Sequence, residues 1–234
     1  MNSESTKTDR EMLDALAHFD TCTITNAIET FQVRLRNTGF SDSTIRSLFP
    51  DLPPMVGYAT TARVRTEDPP ARGGSYHDRT DWWNYILSMP SPRIVVLEDM
   101  DKLRGVGAFL GDVHGAILRA LGCVGFVTNG AVRELPGLRA LGLQLFAGHA
   151  VVSHSYAHIF EFGATLNIGG LKIQPGDLLH GDQHGLITIP KQIASGIPSV
   201  AAKLKESEEQ IIRFCQSREF SVEKLRVMIL DQKG

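Results

Sequence analysis

Between residues 111 and 146, helix-length segments and short apolar runs alternate, with glycine punctuating almost every step. A helical stretch over 116–121 stops at Gly122. An apolar run over 124–128 ends at Asn129-Gly130, a second helical stretch over 134–141 closes at Gly142, and another short run covers 143–146. Runs of that length rich in valine, leucine and phenylalanine read as buried strands. Strands and helices alternating within so few residues predict βαβ units with a largely parallel sheet. This pattern constrains the fold more than any other, because neither a helical bundle nor an antiparallel sandwich accommodates it.

The flanks read differently. Over residues 9–35, Leu13, Leu16, Ala17, Ile24, Ala27, Ile28 and Phe31 recur at three- and four-residue spacing, as in amphipathic helices. The break over 20–26 offers Asp20 or Thr23 as the cap of a second helix. Strands are predicted over 57–64 and 94–98, with an irregular segment over 67–74 and a short helix near 82–87 between them. Beyond 147, runs over 164–168, 171–173, 177–180 and 186–189 are separated by Gly169-Gly170, Pro175-Gly176 and Gln183-His184-Gly185. That spacing predicts a mostly antiparallel β layer. Helices are expected from 198 to about 217 and over 221–229. The expectation is one α/β domain over 1–234: N-terminal helices at 9–35, an α/β core at 56–190 and a C-terminal helical extension at 191–234.

Composition narrows the function classes. Hydrophobic residues at 42% and charged residues at 21% suit a globular core. Lys and Arg number 24 against 26 Asp and Glu, which argues against an extended nucleic-acid surface. Cys22, Cys123 and Cys215 are odd in number and far apart, so neither a disulfide framework nor a CxxC metal knot is expected. No signal core and no run of apolar residues long enough to span a bilayer is visible, which predicts a cytoplasmic protein with no membrane partner.

The chemistry gathers at two motifs. Gly111-Asp112-Val113-His114 leads into a helix, where unpaired amides suit a carboxylate. Arg133-Glu134 follows the next strand at its carboxyl end, where ligands collect in open parallel sheets. Arg133 can hold an oxyanion through two hydrogen bonds, and two carboxylates can hold Mg²⁺ directly or through its waters. His114 offers an acid–base group near neutral pH, or a hydrogen-bonded structural histidine. Asp112 also reads as a simple helix cap, and Arg133–Glu134 as a surface ion pair.

Other features are weaker. His154 and His158 have a spacing that would share one helical face, yet no third zinc ligand is fixed. Asn129-Gly130 reads as turn chemistry, and Asp182 and His184 as shaping a β-turn. Near the C-terminus Ala201, Leu204, Ile211 and Cys215 form an apolar seam, and Glu208 falls within it, where a carboxylate needs a partner.

Gly111-Asp112, twenty further residues, then Arg133 and an acid resemble the signature of the RraA-like family. That family is named for the regulator of ribonuclease E activity A and includes the class II 4-hydroxy-4-methyl-2-oxoglutarate and 4-carboxy-4-hydroxy-2-oxoadipate aldolases. Residues 127–134, Gly169-Gly170-Leu171 with Pro175-Gly176-Asp177-Leu178, and Gly181-Asp182-Gln183-His184-Gly185 with Ile189-Pro190 are similar as well. The likeness runs over roughly residues 12–215.

The resemblance implies a swivelling β/β/α-type domain in homotrimers or hexamers, with sites between subunits. It implies a lyase using Mg²⁺ or Mn²⁺ on a small 2-oxo acid, by retro-aldol cleavage or oxaloacetate-type decarboxylation through a pyruvate enolate. Carried over, Glu134 binds the metal and Asp112 acts through its waters. Arg133 holds the keto acid, and the Gly111 loop holds its carboxylate through the Val113 and His114 amides. A neighbouring subunit adds a Glu, for which Glu208 is the first choice and Glu209 the second. Two positions depart from the pattern: Glu134 stands where Asp is usual, and Gly137 where an acid is expected. The second expectation is therefore a non-catalytic, protein-binding regulator, which Gly137 favours. Some relatives are labelled menaquinone methyltransferases, but no strand here leads into the Gly-rich loop and acid that would hold S-adenosylmethionine.

Overall fold

A computed structural model describes residues 3–70 and 79–231. The irregular 67–74 segment therefore lies outside the described residues from position 71 onward. In chain order the elements are α1 (Ser3–Leu16), α2 (Thr21–Thr30), β1 (Arg46–Ser47), β2 (Met55–Arg65), α3 (Thr80–Ser88), β3 (Arg93–Asp99), β4 (Ala108–Leu110), α4 (Asp112–Ala120) and β5 (Cys123–Thr128). There follow β6 (Ala131–Val132), α5 (Leu135–Ala140), β7 (Gln144–Ala147), β8 (His149–Ala150), β9 (His158–Phe162), β10 (Leu166–Ile168), β11 (Leu171–Ile173), β12 (Leu178–Asp182) and β13 (Gly185–Ile189). Helices α6 (Ile197–Cys215) and α7 (Val222–Asp231) close the chain.

The fold is the expected mixed α/β class. Its main sheet runs β1-β7-β5-β3-β2-β12-β13, with β9 pairing the far half of β2. Strands β2, β3, β5 and β7 are mutually parallel, β12 and β9 pair antiparallel to β2, β13 pairs antiparallel to β12, and β1 antiparallel to β7. Strands β10 and β11 form a separate antiparallel hairpin. A third sheet, β4-β6-β8, is short and wholly parallel.

This small sheet changes the reading of the centre. Each of β3, β5 and β7 in the large sheet is followed by a short strand of the small one. Helix α4 therefore starts from β4, and α5 starts after β6. The sequence pattern placed these helices directly behind the long apolar runs. Strands of two or three residues are too short to show an alternation, so β4, β6 and β8 left no period to read.

Packing explains why the sheets stay together. One face of the large sheet buries Ile94, Val96, Val127 and Phe146 against the β10–β11 hairpin. The other buries Val95, Leu97, Phe126 and Leu145 beneath α3, α4, α5 and the small sheet, through Trp82, Ile86, Leu118, Leu138 and Leu110. Each fully buried side chain of this size contributes about 1.5–3 kcal/mol before entropy is counted. A third cluster joins α1, α2 and α6 to β12 and β13 through Leu16, Ile24, Ile28, Ile187, Ile189 and Ile197. Asp20 caps α2, its side chain accepting the Thr23 amide at 2.8 Å.

Two local expectations change. His158 lies in β9, not on a helix beside His154. Each ring's Nδ1 donates to a nearby carbonyl, His154 to Ser155 and His158 to Tyr156. On α6 the side facing the protein is Ala201, Leu204, Ser207, Ile211 and Phe214, while Glu208 and Cys215 are exposed. The seam is tilted by one position from its predicted course, and Phe214, not Cys215, completes it. Among the described residues no helix is long and apolar enough to cross a membrane.

Candidate functional site

The parallel pairing of β4 with β6 aligns Leu110 with Val132, and the Arg133 amide donates to the Leu110 carbonyl at 3.0 Å. The next residues on each strand are Gly111-Asp112 and Arg133-Glu134, so both motifs leave the same edge of the small sheet side by side. The third strand contributes too: Arg133 Nη1 reaches the carbonyl of Val152, just past β8, at 3.4 Å. Sequence reasoning missed Val152, which is 95% exposed.

Glu134 organises the cluster. Its Oε2 accepts the Asp112 backbone N–H at 3.0 Å and its Oε1 accepts Arg133 Nη2 at 2.8 Å. The Asp112 amide first, and then the Arg133 guanidinium, hold the Glu134 carboxyl below its usual value. The backbone of Glu134 is left-handed, with φ 56° and ψ 42°. Non-glycine residues rarely adopt this region, and Asn or Asp do so more readily than Glu. A β-carbon on Gly111 would lie 2.2 Å from Glu134 Oε2, so a side chain there would displace the Glu134 carboxylate from its present position.

At the α4 N-terminus the first amides are already engaged. Asp112 donates to Glu134, and Val113 donates to Asp112 Oδ1 at 2.7 Å. Two carboxylates thus occupy the positive end of the helix, as its dipole and unpaired amides favour. His114 is half-buried, its ring 5.1 Å from that of Phe109. Gly137, in the first turns of α5, backs onto Asp112.

Not every predicted residue joins this cluster. Glu208 accepts from Asn26 Nδ2 at 3.4 Å, on a helix packed against α2, α1 and α7. Its described contacts do not include Asp112, Arg133 or Glu134. Asn129 serves structure, as expected of a turn residue. It is 6% exposed and bridges β5 to β3, accepting the Asp99 amide at 2.6 Å and donating to the Asp99 carbonyl at 3.3 Å.

The sequence profile of the family described as RraA-like, Aldolase/RraA, matches residues 21–188. The chain belongs to the RraA-like family. A Halalkalibacterium halodurans protein named as a 4-hydroxy-4-methyl-2-oxoglutarate aldolase is 31% identical over 103 residues, covering 44% of this chain and 49% of that protein. This RraA-like chain thus spans about half the length of that curated relative. A Pseudomonas syringae pv. tomato structure, described only as an uncharacterized protein, superposes with a TM-score of 0.71 at 24% identity, covering 93% of each chain. Streptomyces coelicolor RraAS2, described as an unusual member of the RNase ES inhibitor RraA protein family, superposes with a TM-score of 0.65 at 20% identity, covering 85% of this chain and 94% of that one. At those identities the two structures speak for the fold alone.

Proposed function

We propose that this RraA-like protein is a divalent-metal-dependent lyase acting on a small 2-oxo acid. The observation that carries the reading is the β4–β6 pairing, which sets an anion-seeking helix end, a guanidinium and two carboxylates on one edge.

The donor set fits a hard, hydrated cation. Asp112 is exposed and the Glu134 side chain is 39% exposed. Each oxygen engaged in a hydrogen bond keeps a second lone pair. Mg²⁺ and Mn²⁺ commonly take one or two carboxylates and fill the remaining positions with water. Glu134 would hold the ion, with Asp112 ordering its waters and Glu208 of a neighbouring copy in a trimer or hexamer completing the shell. Such an ion supplies Lewis-acid polarisation of the 2-oxo group.

The chain's own residues do the rest. Arg133 binds the keto acid and stabilises the negative charge that develops as the C–C bond breaks. The α4 amides of Val113 and His114, in the loop opened by Gly111, receive the substrate carboxylate once Asp112 Oδ1 releases Val113. His114 or Asp112 receives the proton from the substrate hydroxyl, His114 from its shelf against Phe109. Retro-aldol cleavage and oxaloacetate-type decarboxylation share the same enolate, so one arrangement serves both.

The test is incubation of the full chain with oxaloacetate and Mg²⁺ or Mn²⁺, with pyruvate as the readout. Metal-dependent turnover that falls at least 100-fold in Arg133→Ala is expected. Absence of turnover, or turnover indifferent to metal and to Arg133, would remove the lyase reading. Gly137 favours a second reading, a non-catalytic regulator that binds a protein partner, because the space beside Asp112 has no room for a further acid.

A further inference from the structure

Away from the small sheet, the start of α2 meets the turn between β12 and β13. There a carboxylate oxygen of Asp20, the Sγ of Cys22 and a ring nitrogen of His184 all lie within 4.8 Å of one another. We propose that these three side chains bind a soft divalent cation of the zinc class, which pins the N-terminal helices to the β12–β13 hairpin.

The donors are held ready by their neighbours. Asp182, only 5% exposed, accepts the amides of Thr21 at 2.9 Å and His184 at 2.8 Å. Its Oδ1 also lies 3.1 Å from His184 Nδ1. A carboxylate oxygen beside Nδ1 favours the tautomer with its proton on Nδ1, which leaves the lone pair on Nε2. A carboxylate behind a ligating imidazole is the usual support of a zinc-bound histidine. Asp20 is fixed by the Thr23 amide at 2.8 Å and the Thr23 hydroxyl at 2.9 Å, and each oxygen keeps a further lone pair.

Geometry and chemistry agree. Zinc bonds of about 2.3 Å to sulfur and about 2.0–2.2 Å to nitrogen or oxygen place tetrahedral ligands some 3.3–3.7 Å apart. Cys22 and His184 are exposed, so modest side-chain rotations close the difference, with water as the fourth ligand. Binding forms the metal–sulfur bond and releases the thiol proton to solvent. A thiolate, an imidazole and one carboxylate select zinc over the oxygen-seeking Mg²⁺ or Mn²⁺. The ion would join positions 20 and 22 to position 184, elements that lie far apart along the chain.

The experiment is titration of metal-free full-length protein with Co²⁺, a spectroscopic substitute for zinc. One equivalent should bring visible d–d bands and a near-ultraviolet thiolate-to-cobalt charge-transfer band, both erased by Zn²⁺ and untouched by excess Mg²⁺. Cys22→Ser should remove the charge-transfer band, and His184→Ala should weaken Co²⁺ binding about tenfold or more. Cys215→Ser and Arg133→Ala should leave both signals intact, the latter separating this site from the proposed lyase centre. Saturating Zn²⁺ should raise Tm by about 5 °C in the wild type and not in Cys22→Ser. Absence of the charge-transfer band in the wild type would overturn the proposal, as would its persistence in Cys22→Ser with an unchanged circular dichroism spectrum.

Discussion

Gly137 stands so close beneath Asp112 that a β-carbon on it would lie 2.8 Å from the Asp112 Cβ and 3.4 Å from its Oδ2. Helix α5 therefore sets where the Asp112 carboxylate can go, and position 137 is a lever on the candidate site.

Gly137→Ala should force Asp112 and α5 apart by several tenths of an ångström. Overpacking costs about 1–3 kcal/mol, against about 1 kcal/mol gained by replacing a helical glycine. A net loss of stability of up to about 2 kcal/mol is expected in denaturant melts. Pyruvate production from oxaloacetate should fall about tenfold, since reacting groups tolerate little misplacement. Full activity in a stable variant would show that the position of Asp112 does not matter.

Glu134→Asp should improve binding of oxalate, a planar mimic of pyruvate enolate. The carboxylate of Glu134 reaches the Asp112 amide only because its side chain is long. A residue one methylene shorter frees that donor for a ligand, and it also suits the left-handed backbone better. A charge-assisted hydrogen bond is worth about 1.5–3 kcal/mol, so an affinity gain of about tenfold or more is expected by calorimetry. Weaker binding would mean that Glu134 itself contacts the ligand.

Stability should fall in mild acid because of His180. This side chain is fully buried, its Nε2 donating to the carbonyls of Phe19 at 3.1 Å and Leu16 at 3.3 Å. Nδ1 therefore accepts from the Thr21 hydroxyl at 3.0 Å. Burial pushes the His180 pKa below its ordinary value near 6.5. The unfolded chain then binds protons first, so this contribution is complete above about pH 6.5 and shrinks as pH falls toward the folded pKa. Melting curves between pH 7.5 and about 5 should show a drop in Tm that flattens in His180→Gln.

Arg63→Met should destabilise the edge where β2, β3 and β9 meet. Arg63 donates to Glu98 at 3.1 Å, to Glu161 at 2.6 Å and to the Thr165 carbonyl at 3.0 Å. Glu98 is 8% exposed, and without Arg63 it becomes a buried charge missing its cation. Breaking a fully buried pair costs about 3–5 kcal/mol. With the Arg63 side chain 26% exposed, about 2 kcal/mol is expected. The double variant Arg63→Met/Glu98→Gln should recover part of it, and no recovery would point to lost packing instead.

Much of the fold was legible because long elements announce their period. Residues 57–64, 94–98 and 124–128 became the cores of β2, β3 and β5, and the predicted cap Asp20 does cap α2. The small sheet was not legible, because β6 and β8 are two residues each. Strand β9 was missed where polar and apolar residues mix without alternation. The nearness of Gly111-Asp112 to Arg133-Glu134 was expected at the carboxyl ends of the strands read from the long apolar runs, and the pairing of β4 with β6 supplies the actual cause. Asp20, Cys22 and His184 carry no spacing motif at all, since the chain brings them together only by folding α2 over a distant hairpin.

The division of labour between the sheets has a consequence for descent. The large sheet, which carries most of the hydrophobic core, ends before the residues proposed for chemistry begin, and those residues hang from the end of a slight three-stranded shelf. Substitutions at the exposed residues just past that shelf, Asp112 and Glu134 first, can erase or redirect the proposed chemistry while leaving the buried strands beneath them almost untouched. A lineage built this way can drift from enzyme to binding protein, and back, without passing through an unfolded ancestor.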